Sequence, residues 1–182
     1  MKKRKKKEEE KKNTDHSQEI QNLETLTNLE ELWLGKNKIT SLQTGLSTLT
    51  NLKILSIQSN RLTSLSGLSS VPSLEELYVS HNAITSLAPI SSNTNLRNVD
   101  VSANPITHLE GLKPLTKLEE FWASDCQLES FEEVERELGG AEGLETVYFE
   151  GNPLQRRQPV LYRNKVRLAL PRIRQIDATF VR

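Results

Sequence analysis

Between residues 29 and 154 the apolar residues follow one stencil. Two are spaced by three and the next by two, a small polar residue follows three further on, and another apolar residue lies two beyond that. The six copies are Leu29-Leu32-Leu34-Asn37-Ile39, Leu52-Leu55-Ile57-Asn60-Leu62, Leu74-Leu77-Val79-Asn82-Ile84, Leu96-Val99-Val101-Asn104-Ile106, Leu118-Phe121-Ala123-Cys126-Leu128 and Leu144-Val147-Phe149-Asn152-Leu154. The polar positions 37, 60, 82, 104, 126 and 152 are separated by 23, 22, 22, 22 and 26 residues. Alternation over the first half of each copy predicts a short strand with one buried face. Between copies the apolar residues recur every third position, as in Leu65-Leu68-Val71-Leu74 and Leu109-Leu112-Leu115-Leu118. That spacing suits 3₁₀ turns, in which side chains at i and i+3 share a row.

A strand, a turn at the polar residue and a tight helical return make one coil, and coils at a fixed period stack into a solenoid. The stencil matches the leucine-rich repeat. The expected fold is therefore α/β: about six 22-residue repeats with a concave parallel sheet and a 3₁₀ or helical convex side. The 26-residue interval holds Glu132-Glu133-Val134-Glu135-Arg136-Glu137-Leu138, which predicts a turn or two of α-helix closed by Gly139-Gly140. Residues 1–19 lack any apolar residue after Met1 and predict a disordered charged tail. The repeats span 20–154 and a carboxyl-terminal cap 155–182. Within the cap, Tyr162, Val166 and Leu170 have helical spacing up to Pro171, and a strand-like tail follows. Ile20, Leu23, Leu26 and Leu29 form the back of a coil that lacks its strand, which predicts an open apolar end.

Strand side chains alternate between faces, so the third and fifth places of L-x-x-L-x-L point outward, onto the concave sheet. The fifth place holds Trp33, Ser56, Tyr78, Asp100, Trp122 and Tyr148, and the third holds Glu31, Ile54, Glu76, Asn98, Glu120 and Thr146. Both tryptophans and two of the three tyrosines thus share one outward row. Phe121 and Phe149 go instead to the core row. Trp and Tyr dominate protein interfaces because a rigid ring with a polar handle tolerates both water and burial. Trp33, Tyr78, Asp100, Trp122 and Tyr148, with Glu31, Glu76 and Glu120 beside them, are therefore the expected partner-binding residues. Asp125 and Glu150 extend the acidic rim from the adjoining loop. The carboxylates repeat a surface position with no histidine or nucleophile at matching places, so no catalytic site, metal site or cofactor is expected.

Charge is distributed in blocks although the net is zero. Residues 2–12 hold eight Lys/Arg against three Glu, and residues 154–182 hold eight against Asp177 alone. Residues 13–153 hold 8 basic and 20 acidic residues, a balance of −12. An acidic body disfavours nucleic acid and favours a partner with a basic patch. No apolar run reaches the ~18 residues of a membrane span, and the lone Cys126 forms no internal disulfide; the chain is expected to be soluble and intracellular. The run Lys2–Lys7 reads as a nuclear import signal.

The segments LEELWLGKNKIT, SLEELYVSHNAI, LEEFWASDCQLES, GLETVYFEGNPLQ and YRNKVRLALPRIRQIDATFV resemble the carboxyl-terminal half of the leucine-rich-repeat regulatory subunit of type-1 protein phosphatase, the regulatory subunit 7 class. The closing QIDATFV is the most specific part. The resemblance implies that the concave face binds the phosphatase catalytic subunit, with contacts at Trp33 (where relatives often have Phe), Asp100, Glu120, Trp122 and Tyr148. It further implies an inhibitor protein in a ternary complex, a role in phosphatase maturation and chromosome segregation, and residence in nucleus and cytoplasm. Family members resemble a solenoid of about twice this number of repeats. Leucine-rich-repeat adaptors of other nuclear complexes, of the splicing-particle or chaperone type, carry similar caps and form the alternative reading.

Overall fold

The structure, a computed structural model, describes residues 18–43 and 45–181. The charged tail and its basic run, residues 1–17, lie outside the described residues. Six three-residue strands, β1 (Glu31–Trp33), β2 (Ile54–Ser56), β3 (Glu76–Tyr78), β4 (Asn98–Asp100), β5 (Glu120–Trp122) and β6 (Thr146–Tyr148), pair in parallel in chain order. The sheet continues with β7 (Gln175–Ile176), parallel to β6, and β8 (Thr179–Phe180), antiparallel to β7. The register aligns Leu32, Leu55, Leu77, Val99, Phe121, Val147 and Ile176 in one inward row, each buried. The leucine-rich-repeat solenoid predicted from the period is thus the fold.

Asparagine side chains tie the coils together. The Asn104 amide donates to Val79 O at 3.1 Å in the preceding coil and to Val101 O at 2.9 Å in its own, and its Oδ1 accepts from Ile84 N at 3.0 Å. Asn60, Asn82 and Asn152 repeat this arrangement. Each therefore satisfies backbone groups that the turn would otherwise bury unpaired. Cys126 reproduces only the donor half, with Sγ 3.5 Å from Val101 O; Ile106 N turns instead to Asn104 O at 2.8 Å. Burial pushes the thiol up to about 11 from 9.0.

The residue just before each ladder position is left-handed: Lys36, Ser59, His81, Ala103 and Asp125 have φ of 52–58° and Gly151 has 75°. L-residues adopt this conformation at a cost of about 1 kcal/mol or more. It is held because each non-glycine N–H of the five donates to a carbonyl of the next coil at 2.8–3.0 Å.

On the opposite side the every-third comb makes i→i+3 bonds, such as Leu49 N to Leu46 O at 3.0 Å and Leu115 N to Leu112 O at 2.8 Å. Among the described residues only Leu68–Ser70 and Ala88–Ile90 complete a 3₁₀ turn. Asn93 stands where the neighbouring coils place Val71 and Leu115; it is fully buried and its amide donates to Leu68 O and Val71 O. The long return forms α1 (Phe131–Leu138), capped by Ser130, whose Oγ accepts from Glu133 N at 3.1 Å. The expected glycine closure takes a different form: Gly139 is right-handed, at φ −62°, and its N–H simply completes a bond to Glu135 O.

The carboxyl end comprises α2 (Pro153–Arg156), α3 (Tyr162–Ala169) and the β7–β8 hairpin. Gln175-Ile176-Asp177 acts as an abbreviated seventh coil. Asp177 is left-handed at φ 53°, and its Oδ1 accepts from Phe149 N, Glu150 N and Tyr162 Oη. At the amino end the first coil starts two residues earlier than the composition suggested: Glu19 bridges Ser41, and Gln18 O accepts from Thr40 N. Leu26 there is 45% exposed, and Leu23, Leu29 and Leu34 are half-buried. Among the described residues no helix is long and apolar enough to cross a membrane.

Candidate protein-binding surface

The sheet's solvent face carries the expected residues, and the register brings them into two aromatic pairs. Trp33 and Tyr78 lie on either side of Ser56, with ring centroids 6.4 Å apart and planes 16° from parallel. Trp122 and Tyr148 are direct cross-strand neighbours at 5.4 Å and 59°. Such tilted contacts set the edge of one ring against the face of the other.

Each ring has a distinct polar environment. Trp33 is 62% exposed, and its Nε1 donates to Glu31 Oε2 at 3.2 Å. Tyr78 donates from Oη to Glu76 Oε2 at 2.6 Å; burial first, and then that bond, pushes its hydroxyl up to about 12. Tyr148 Oη accepts from Gln175 Nε2 at 2.9 Å. Trp122 Nε1 is buried and has no hydrogen-bond partner among the described residues.

Asp100 lies between the two pairs in the register, flanked by Tyr78 and Trp122, but it is not the open rim carboxylate that alternation predicts. It is only 5% exposed. Its Oδ1 accepts from Ser102 N at 3.0 Å and its Oδ2 from Gln58 Nε2 at 3.3 Å. Large rings on both flanks leave little room for water over a short side chain, and Ser56 is buried for the same reason. Glu31, Asp125 and Glu150 are exposed and Glu76 and Glu120 half-buried, so these carry the accessible negative charge. Glu120 has no hydrogen bond to another described side chain. Sequence reasoning missed Gln175 as a support for Tyr148, because its copy of the stencil stops after three residues.

Nothing in this arrangement pairs an acid with a base and a nucleophile. Among the described residues no group of three or more His, Cys, Asp or Glu could hold a metal ion.

Comparison with known proteins agrees with the architecture. Residues 27–84 match the leucine rich repeat family model, and residues 72–114 match a model of two leucine rich repeats. The protein phosphatase 1 regulatory subunit SDS22 of Schizosaccharomyces pombe is 61% identical over 70 residues, 38% of this chain and 21% of that protein. The human protein phosphatase 1 regulatory subunit 7 is 62% identical over 55 residues, 30% of this chain and 14% of that protein. The chain thus matches only about a fifth or less of the length of these relatives. Among solved structures, a leucine-rich-repeat protein of Leptospira interrogans aligns over 84% of this chain and 38% of its own, with a TM-score of 0.70 and 29% identity. An internalin of Listeria monocytogenes aligns over 83% and 48%, with a TM-score of 0.68; at 21% identity it speaks for the fold alone. Repeat period, sheet register and matched stretches together make the chain a leucine-rich-repeat protein, and the stretches it shares with the phosphatase 1 regulatory subunits are similar to the regulatory subunit 7 class.

Proposed function

We propose that the chain is a non-catalytic regulatory or scaffold subunit that holds the catalytic subunit of type-1 protein phosphatase against the concave face of its sheet. The observation that carries this reading is the clustering of Trp33, Tyr78, Trp122 and Tyr148 in one solvent-facing row, paired as described. Rigid aromatic rings flanked by Glu31, Glu76 and Glu120 suit a partner surface with basic residues and an apolar centre. The names of the relatives supply the identity of that partner. An inhibitor protein joining the complex, and residence in nucleus and cytoplasm, belong to the same proposal.

The test is gel filtration and interferometry of the purified chain with the purified catalytic subunit. A complex that is weakened by Trp122→Ala and Trp33→Ala, and unaffected by Lys113→Ala on the convex side, supports the reading. Absence of a complex, or one indifferent to both tryptophans, overturns it.

A further inference from the structure

We propose a second docking surface, separate from the sheet face, in the groove between α3 and the β7–β8 hairpin, and that it takes a short acidic segment with apolar anchors from another protein. Six large hydrophobic side chains are exposed among the described residues, and four of them, Val160 (88%), Leu161, Leu168 (77%) and Phe180 (74%), lie on this end of the molecule. A groove of about 440 Å³ runs between Val160, Arg163 and Arg167 on the helix side and Thr179, Phe180 and Val181 on the hairpin side. Arg163 and Arg167, four apart in α3, share one face of the helix, and Val160 lies in the turn that leads into it.

The groove's charge is not cancelled locally. Arg156, Arg157, Arg172 and Arg174 are each neutralised by a carboxylate, respectively Asp125, Glu129, Glu142 and Glu145. The two guanidiniums that line the groove are not. Arg163 spends its donors on carbonyls, Ile176 O at 2.8 Å and Thr179 O at 3.2 Å, which fixes its position and leaves its charge. Arg167 enters no ion pair among the described residues. The only acidic residue of 154–182, Asp177, is buried and turned inward. An exposed apolar patch bordered by one guanidinium held in place, Arg163, and a second exposed one, Arg167, neither in an ion pair among the described residues, is complementary to carboxylates flanking an aliphatic or aromatic side chain.

The same charge map favours a short segment over an extended polyanion. Glu132 and Glu135 line the depression on the other side of α3, beside Leu168, and residues 13–153 sum to −12. A nucleic acid or an anionic bilayer would lie across those carboxylates as well as the groove, whereas a peptide within it senses mainly the local charge, given a screening length of about 8 Å.

The test is to pan a phage library of random sixteen-residue peptides against the full chain, then to measure the enriched sequences as synthetic peptides by fluorescence anisotropy. Acidic peptides with an apolar anchor are expected. Their affinity should fall at least about tenfold in Arg167→Glu and in Phe180→Ser, stay within about threefold in Arg167→Lys, and be unchanged in Trp122→Ala. Both disruptive changes are at solvent-facing positions, and unchanged thermal melts would exclude unfolding as the cause. No enrichment, peptides lacking carboxylates, or binding that depends on Trp122 and not on Phe180 overturns the proposal. Co-sedimentation with phosphatidylserine vesicles that Phe180→Ser abolishes would assign the patch to a lipid surface instead.

Discussion

Trp122 and Tyr148 meet edge to face across β5 and β6 at 5.4 Å, and the indole N–H of Trp122 is buried without an acceptor. A buried donor left unpaired costs about 1–3 kcal/mol, so this ring is held at some expense to the free protein. Trp122→Phe is expected to leave fold stability unchanged or slightly raised while weakening the phosphatase complex, if the partner supplies the missing acceptor. Trp122→Ala should weaken the complex by about 2–4 kcal/mol. Interferometry paired with urea melts separates the two effects, and equal losses in both would assign Trp122 to the core.

Asn104 and Asn37 occupy the same place in the fourth and the first coil with very different surroundings. Asn104 is buried and serves backbone groups of two coils, whereas Asn37 is exposed and bonds only Leu34 O and Gly35 O of its own coil. Asn104→Ala is expected to cost about 2–4 kcal/mol, chiefly through an orphaned Ile84 N–H, and Asn37→Ala to stay within about 0.5 kcal/mol. Comparable shifts in denaturation midpoint would contradict the ladder's role.

Five homologous amides, those of Leu34, Ile57, Val79, Val101 and Ala123, each donate to the fifth-place carbonyl of the next coil at 2.7–2.8 Å. Bond length does not distinguish them, but burial does: Leu34 is half-buried and the other four fully buried. Exchange should therefore be fastest at Leu34 and slow by Val79, following the local opening free energy. Uniform protection would mean that the array opens only as a whole.

Association with a basic partner should slow as salt rises, because the accessible carboxylates Glu31 and Glu150 act through solvent. Asp100 should contribute less than its place in the row suggests, being enclosed by Gln58 and Ser102. Stopped-flow rates at low and physiological ionic strength, for the native chain and for Glu31→Gln, are the measurement; a flat salt profile leaves the rim without a steering role.

The protein should lose stability in alkali. Burial raises the Cys126 thiol to about 11, and burial together with Asp177 raises Tyr162. Groups whose folded-state pKa is raised hold their proton longer than the unfolded chain does, so their contribution is full below the unfolded value and is lost as pH climbs toward the folded one. The denaturation midpoint is expected to fall between about pH 9 and 11, and less steeply in Cys126→Ser. Identical slopes would remove the thiol from the account.

The features legible in the sequence are those written in side-chain type. Inward leucines, ladder asparagines and outward aromatics each recur at fixed places, and the period alone orders the strands. The left-handed residue before each ladder position was hidden because Lys36, Ser59, His81, Ala103 and Asp125 have nothing chemical in common; the ladder imposes the conformation from outside. Asp100 misled for a related reason. Alternation tells which way a side chain points, while its burial depends on the bulk of Tyr78 and Trp122 beside it. The strand-like tail after Pro171 was legible, but its division into the β7–β8 hairpin was not, because strands of two residues are too short to show a period.

The helical return α1 lengthens one coil to a 26-residue interval, yet Trp122 still stands opposite Tyr148 with no slip in register. Position along the binding row is indexed by strand number and is blind to residue number. The back of each coil is thus a site where chain can be added at no cost to the front: a loop, a modification motif or a whole inserted module at a convex return would leave the distances between aromatic contact points as they are. A surface built this way can acquire new regulation while continuing to measure the same partner.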